Sequence, residues 1–448
     1  MSQVQNKETP QERFQNDIKT AYTNLAATDA DMAIEQLWKM YGAKYWEKDR
    51  YNFNVKQEDT SSFHAVAEIV FDAIPKMSKP ESLEKTIHTL DWIFRNCYYS
   101  SCSRKELSRI LGPAEKVIDA GINMKTPEML EKAIQANNWV VKNPGYQSFV
   151  GRTRERMMES GLALNSEAGI SICCNELSHL ATTDKKLDII DKAIALKSAP
   201  ALKDVFSLWN KSIKVEYTDL KEIRKHHGNE QSRRYSKQHK TSQHYGLKIV
   251  NAAIKLKSPE GIVLAESALR EVSAETENGK KQDRLLTKTS PGILAYALEL
   301  KSAEGVAVAE RVLNLVTEKM QDSPDKDQLI TLNSFKLVGC AMGLQSGKGL
   351  ITSVRAMENL YNKTSGDEHR EALAQLDVIA DGAALIFETI NSKREAREAF
   401  NETVQSMQWL GPIYKEPKSE TEKQYVDNFI EKFTVLRDRY APLDQQPA

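Results

Sequence analysis

Three stretches in the middle of the chain repeat one phrase, and that repetition constrains the fold more than any other feature. They read AAIKLKSPEGIVLAESAL, AYALELKSAEGVAVAERVL and CAMGLQSGKGLITSVRAM. The last apolar residue before the turn is Leu256, Leu300 and Leu344, a spacing of 44 residues each time. Weaker copies extend the series to Met77, Met124, Leu164 and Leu196, and most faintly to Ala26 and Ile390. The mean interval is about 45 residues, within the range of helix-pair repeats.

Each recurring position has a physical meaning. Two residues after the anchor stands a hydroxyl at all but Met77: Thr28, Thr126, Ser166, Ser198, Ser258, Ser302, Ser346 and Ser392. Pro80, Pro127 or Pro259 follows in three copies, and Glu81, Glu128, Glu260 or Glu304 comes next in four. A hydroxyl caps an orphan amide, proline is tolerated at the first helical position, and Glu meets the positive end of the helix dipole. Six residues after the anchor the side chain is apolar in every copy, from Met32 and Leu83 to Leu350 and Ala396. Leu90, Leu177, Trp209, Leu269, Leu313 and Met357 continue that face. A second amphipathic segment precedes the anchor, for example residues 242–257. Each unit therefore reads as helix, two-residue turn, helix, a turn too short for anything but antiparallel packing. Gly169, Gly261, Gly305 and Gly349, with Ala253, Ala297 and Ala341, are small enough to let the paired helices approach closely.

The expected fold is all-α: a right-handed α-solenoid of antiparallel helix pairs with a repeat of about 44 residues. Composition agrees, since 20 glycines and 14 prolines in 448 residues leave few chain-breakers. Residues 1–60 are expected to form an N-terminal helical cap carrying Trp38, Tyr41, Tyr45, Trp46, Tyr51 and Phe53. The solenoid is expected over 61–415, and a capping helix with its tail over 416–448. The segments 278–290 and 322–327 read as simple connections.

By period and helix-pair design the chain resembles the HEAT and armadillo-like superfamily, without the Asp and Arg marks of strict HEAT units. The resemblance implies a scaffold that binds partners along a helical-repeat surface. It points to no specific family.

One segment departs from the repeat. Between Leu196 and Leu256 the spacing is 60, and the excess lies in a basic, His-rich insert at 221–248. It reads as a helix running to about Lys225 followed by a polar loop. Arg224, Lys225, Arg233, Arg234, Tyr235, Lys237 and Lys240 form its candidate polyanion-binding set. Lys and Arg would neutralise phosphates, and Tyr would stack on a base. The alternative is a solvated surface loop. Over the whole chain Lys+Arg and Asp+Glu are both 62, so no global charge draws it to nucleic acid or anionic lipid.

Catalytic and metal chemistry is not expected. Cys97 and Cys102 stand alone, adjacent Cys173 and Cys174 diverge on a helix, and five cysteines make no disulfide framework. Glu176 and His179 match half of a carboxylate-bridged metal motif whose second copy is missing. The Gln345–Gly349 stretch resembles a phosphate loop only superficially. Trp92, Trp139, Trp209 and Trp409 read as core. No signal core or membrane-length apolar run is seen, so a cytoplasmic setting is expected.

The leading functional expectation is a non-catalytic scaffold for a protein or peptide partner, with no cofactor and no membrane. Nucleic-acid or polyanion binding through the insert is the alternative. A HEAT-like DNA glycosylase, centred on Asp91–Trp92 or Asn138–Trp139, is the lower one.

Overall fold

The computed structural model describes residues 10–39, 66–97, 104–142, 147–178, 182–213, 229–276, 279–363, 367–390 and 393–440. Among the described residues every regular element is helical. The chain divides into two compact units, Met1–Leu196 and Lys197–Ala448.

The first unit holds α1 (Pro10–Thr28), α2 (Ala30–Leu37), α3 (66–72) with a tight turn at Ile74–Lys76, and α4 (Pro80–Cys97). It continues with α5 (Arg104–Asn123), α6 (Pro127–Lys142), α7 (Gln147–Ala163), α8 (Glu167–Ile172) and α9 (Thr183–Leu196). A π-helical turn, Cys173–Leu177, prolongs α8. The second unit begins with α10 (Ala199–Leu208), prolonged by a π-helical turn at Trp209–Ile213. Then come α11 (Asn229–Lys255), α12 (Pro259–Glu275), α13 (Gly279–Glu299), α14 (Ala303–Lys319), α15 (Pro324–Gly343) and α16 (Gly347–Lys363). The unit closes with α17 (Asp367–Thr389), α18 (Lys393–Ser406), the short α19 (Leu410–Lys415) and α20 (Glu420–Tyr440).

The phrase read from the sequence is the turn between paired helices. From Met77 to Ile390, each second helix opens three residues after its anchor: α4, α6, α8, α10, α12, α14, α16 and α18. In six turns the residue between anchor and cap is left-handed: Lys125, Asn165, Lys197, Lys257, Lys301 and Gln345, with φ from 46° to 53°. That conformation ends the first helix and aims the chain into the next. The hydroxyls of Ser166, Ser258, Ser302 and Ser346 each accept the amide of the glycine three residues on, at 3.1 Å. Those glycines are required. A Cβ on Gly305 or Gly349 would overlap the carbonyl oxygen of Ala297 or Ala341 across the pair, and on Gly261 it would lie 2.7 Å from that of Ala253. At Met124 the roles reverse: Gly121 on the first helix faces Met129 on the second, where a Cβ would meet the Met129 carbonyl at 2.5 Å.

Packing follows chain order. Within the second unit the hairpins are α11–α12, α13–α14 and α15–α16, first helices lie on first helices, and second helices lie on second (α12–α14, α14–α16, α16–α18). The first unit repeats the scheme with α5–α6, α4–α6, α7–α8 and α6–α8. This nearest-neighbour pattern is that of stacked repeats. The side chains six residues after the anchor, Leu83, Leu130, Ile170, Leu202, Ile262, Val306, Leu350 and Ala396, are all buried.

Side-chain bonds tie successive second helices in a fixed register. Counting from the anchor, position +14 meets +15 of the next unit: Trp139 Nε1 donates to Asp91 at 2.8 Å, and Asn359 Nδ2 to Asn314 at 2.8 Å. Position +10 meets +8 and +11. Arg311 Nε donates to Glu266 at 3.2 Å, Thr352 donates to Glu310 at 3.1 Å, and Arg355 lies 3.7 Å from Glu310.

Three sequence expectations are corrected. The first α2 cap is Asp29, which accepts the Met32 amide at 2.9 Å, while Thr28 bonds back into α1. The register there shifts by one, so Ala33 is buried and Met32 is exposed. The segment 279–290 is not a connection but the first half of α13, with Pro291 inside the helix. In the basic insert, 229–241 is helix, because α11 grows back from its packed C-terminal half through residues with no proline and no glycine.

Candidate functional site

The basic segment is only partly in view. Arg224 and Lys225 lie outside the described residues. Positions 233, 234, 235 and 237 belong to the α11 backbone, and the side chains of Arg233, Arg234, Tyr235 and Lys237 also fall outside the description. Lys240 and His244 are exposed. His244 meets Tyr245 edge-on at 5.5 Å, and Lys248 Nζ lies 4.3 Å over the Tyr245 ring. Helical spacing puts positions 233, 237, 240 and 244 on one face of α11.

A larger feature lies at the C-terminal end of the second unit. α20 is capped from both sides: Ser419 Oγ accepts the Glu422 amide at 3.1 Å, and the Glu422 carboxylate accepts the amide of Lys418, one residue before the cap, at 2.7 Å. It runs along α17 in constant register. Lys432 pairs with Asp381 at 2.7 Å, and Arg439 with Glu388 at 3.0 Å. Between α18, α19 and α20 opens a groove of about 720 Å³. Its floor is a chain of rings: Phe400 to Phe433 at 6.2 Å and Phe433 to Phe429 at 4.8 Å. Its walls carry Val404, Ile430 and Tyr414, which remain 44%, 36% and 54% exposed. Asn401, Gln405 and Gln408 add amides to the rim, and Arg437 is the single charged residue lining the groove. The lining is therefore apolar with a polar edge, the chemistry of a surface that receives another apolar face. Sequence reading missed it. The available signal was Val404 at +14 from Ile390, apolar where the units from Met77 onward carry a polar residue, such as Asp91, Asn138, Asn314 and Glu358, whereas +10 is already apolar at Ile134, Phe206 and Val354.

A smaller recess of about 300 Å³ in the first unit is lined by Glu131, Gln135 and Asn138 of α6 with Ser171, Asn175 and Glu176 of α8 and its π-turn. Two carboxylates, Glu131 and Glu176, and the hydroxyl of Ser171 line it. Asn175 Nδ2 donates to Ser171 at 3.1 Å, and His179 lies outside the described residues. Among the described residues no group of three or more His, Cys, Asp or Glu is placed to hold a metal. Cys173 is buried, and burial pushes its thiol up to about 12, so it stays protonated at neutral pH. Asp91, which the glycosylase reading would place in a cleft, instead accepts the Trp139 indole and joins two helices. The Trp92 side chain, Cys97 as a side chain, and Cys102 lie outside the described residues. Trp209 is fully buried and donates to the Ser242 carbonyl at 3.0 Å. No helix among the described residues is long and apolar enough to cross a membrane.

The helix register decides the class. The chain is an α-helical tandem-repeat protein. No protein-family model and no curated protein matches it. Among solved structures it is similar to a circular tandem repeat protein with novel repeat topology and enhanced subunit contact surfaces, at 12% identity over 96% of this chain and 97% of that one, TM-score 0.23. It is also similar to SYS-1 in a crystal complex with POP-1, at 11% identity over 98% and 85%, TM-score 0.23. SYS-1 alone gives 11% over 94% and 85%, TM-score 0.21. At such TM-scores the fold rests on the helix register alone.

Proposed function

We propose that this protein is a non-catalytic interaction scaffold, a right-handed solenoid of roughly 44-residue units that binds a protein or peptide. The observation that supports it is the groove between α18 and α20, where apolar side chains with large exposed fractions line a recess floored by three phenylalanines. A buried valine or isoleucine side chain is worth about 1.5–3 kcal/mol, so covering Val404 and Ile430 offers a real driving force. The test is affinity capture of the full chain from native lysate, with mass spectrometry and the 260/280 nm absorbance ratio read on one eluate. The scaffold reading expects a stoichiometric protein at a normal ratio. An eluate holding only the bait would overturn it.

A second reading has its own observation, the continuous helical face of α11 at positions 233, 237, 240 and 244. Through Arg224, Lys225, Arg233, Arg234, Tyr235, Lys237 and Lys240 it would hold a phosphate polymer. Its mark is a raised absorbance ratio that falls with nuclease, and binding that weakens steeply with salt.

A further inference from the structure

The groove has the position and direction of a missing helix. In the second unit each second helix is covered by the next one: α12 by α14, α14 by α16, and α16 by α18. The face offered to the newcomer is fixed at +10 and +14, as Glu266, Glu310 and Asn314 show. α18 opens at +3 like the others and so carries Phe400 at +10 and Val404 at +14. Both line the groove. α19 is a six-residue helix at the edge of the groove, and the next long helix, α20, does not lie there. It packs on α17, parallel to it, which is where the first helix of a further unit belongs. Ile430, Phe433, Thr434 and Arg437 are the side it turns toward a second helix that the described chain does not provide.

We infer that the groove receives one amphipathic α-helix from a partner protein, seated parallel to α18 and antiparallel to α20, as the second helix of a pair whose first member is α20. This rests on the scaffold reading. The repeat also states the chemistry of the occupant. Aliphatic side chains at i, i+3, i+4 and i+7 fill the space over Phe400, Val404 and Ile430. Asn401, Gln405 and Gln408 meet its polar shoulder. Antiparallel seating brings its N-terminal turn to the C-terminal end of α20, beside Arg437. Arg437 donates to Asp438 at 3.1 and 3.0 Å, and an acidic residue in that turn shares this guanidinium while meeting its own helix dipole. A second copy of the chain is a poorer fit: Met32 and Leu332 stand singly on packed helices, Met124 stands in a turn, and Val378, Leu385 and Val435 belong to α17 and α20, whose other faces are already packed in the stack.

The test uses the full chain and three end-capped, fluorescein-labelled peptides of four helical turns. The first has leucines at i, i+3, i+4 and i+7 and two glutamates in its first turn. The second has lysines there instead, and the third is a scrambled, non-amphipathic isomer. Fluorescence anisotropy is expected to show saturable binding of the first, weaker binding of the second and none of the third. Val404→Asp and Ile430→Asp should each weaken the first peptide by about tenfold or more, Arg437→Glu should reverse the charge preference, and Leu332→Asp should change nothing. If either Asp variant loses its helical circular dichroism, Arg437→Glu and Tyr414→Ser carry the same comparison from half-exposed positions. No saturable binding, or equal weakening by Leu332→Asp, overturns the inference. So does a dimer of the chain in sedimentation equilibrium that Val404→Asp dissolves, since the occupant is then a second copy. The failures separate: a captured lysate protein indifferent to Val404→Asp leaves the scaffold and removes this groove, whereas no captured protein removes the scaffold itself.

Discussion

Four of the six left-handed turn residues are lysines: Lys125, Lys197, Lys257 and Lys301. A side chain there crowds its own backbone, at a cost of about 1 kcal/mol, which glycine avoids. Glycine also loosens the unfolded chain, so the two effects partly cancel. Lys301→Gly is expected to leave stability unchanged or raise it by up to about 0.5 kcal/mol in urea melts. Four residues on, the opposite holds. Gly305→Ala drives a methyl into the Ala297 carbonyl and should cost about 2–3 kcal/mol, with the midpoint falling and the slope unchanged. The serine and glycine of this turn were legible in the sequence because capping and close approach demand those residue types. The left-handed position was not, since lysine gives no sign of its backbone conformation. At Ala26 the reading slipped by one residue because Thr28 and Asp29 are both good caps, and only the bond to the Met32 amide separates them.

Between elements, the second helices are joined by bonds whose residue types vary while their positions do not. Glu266 is nearly buried and accepts from Arg270 at 2.6 Å and from Arg311 of the next helix at 3.2 Å. Glu266→Ala should cost about 1–2 kcal/mol, because two charge-assisted bonds are lost while both guanidinium groups, half exposed, recover water. A double-mutant cycle with Arg311→Ala should return a coupling of only about 1 kcal/mol, since Arg311 is partly exposed and screened. In the first unit, Asp31 of α2 reaches the turn before α4, where it accepts the Ser78 hydroxyl at 2.6 Å and the Ser78 amide at 3.1 Å. Burial works to raise its pKa, yet bonds from Ser78, Ser82 and the Ser78 and Lys79 amides outweigh that and lower it. A depressed carboxylate contributes stability above its unfolded pKa of about 3.9 and loses it as pH falls through the folded value. Asp31→Asn should therefore be less stable at neutral pH and show a shallower loss of stability below about pH 4, followed by circular dichroism. The basic insert was misread at this scale. Its charge suggested a loop, but helix formation depends on packing of the 242–255 half and tolerates lysine, arginine and glutamine in the extension.

At the scale of the whole chain, the repeat made the helix-pair architecture legible, and the same repeat hid the groove. Leu256, Leu300 and Leu344 announce what is present, whereas the groove is a position in the pattern that no described helix fills. Phe400 and Val404 acquire meaning only when α20 is seen lying on α17. Truncation after Lys415 removes α20, bares Phe387 and Phe400, and should convert the second unit to a dye-binding state with a broadened thermal transition. The C-terminal end of this stack is the proposed binding surface. It is tested most directly by amide hydrogen exchange on the full chain, alone and with its captured partner. Protection confined to residues 400–411 and 429–437 is the predicted result. Protection confined to 229–248, or none at the C-terminal end, would contradict it.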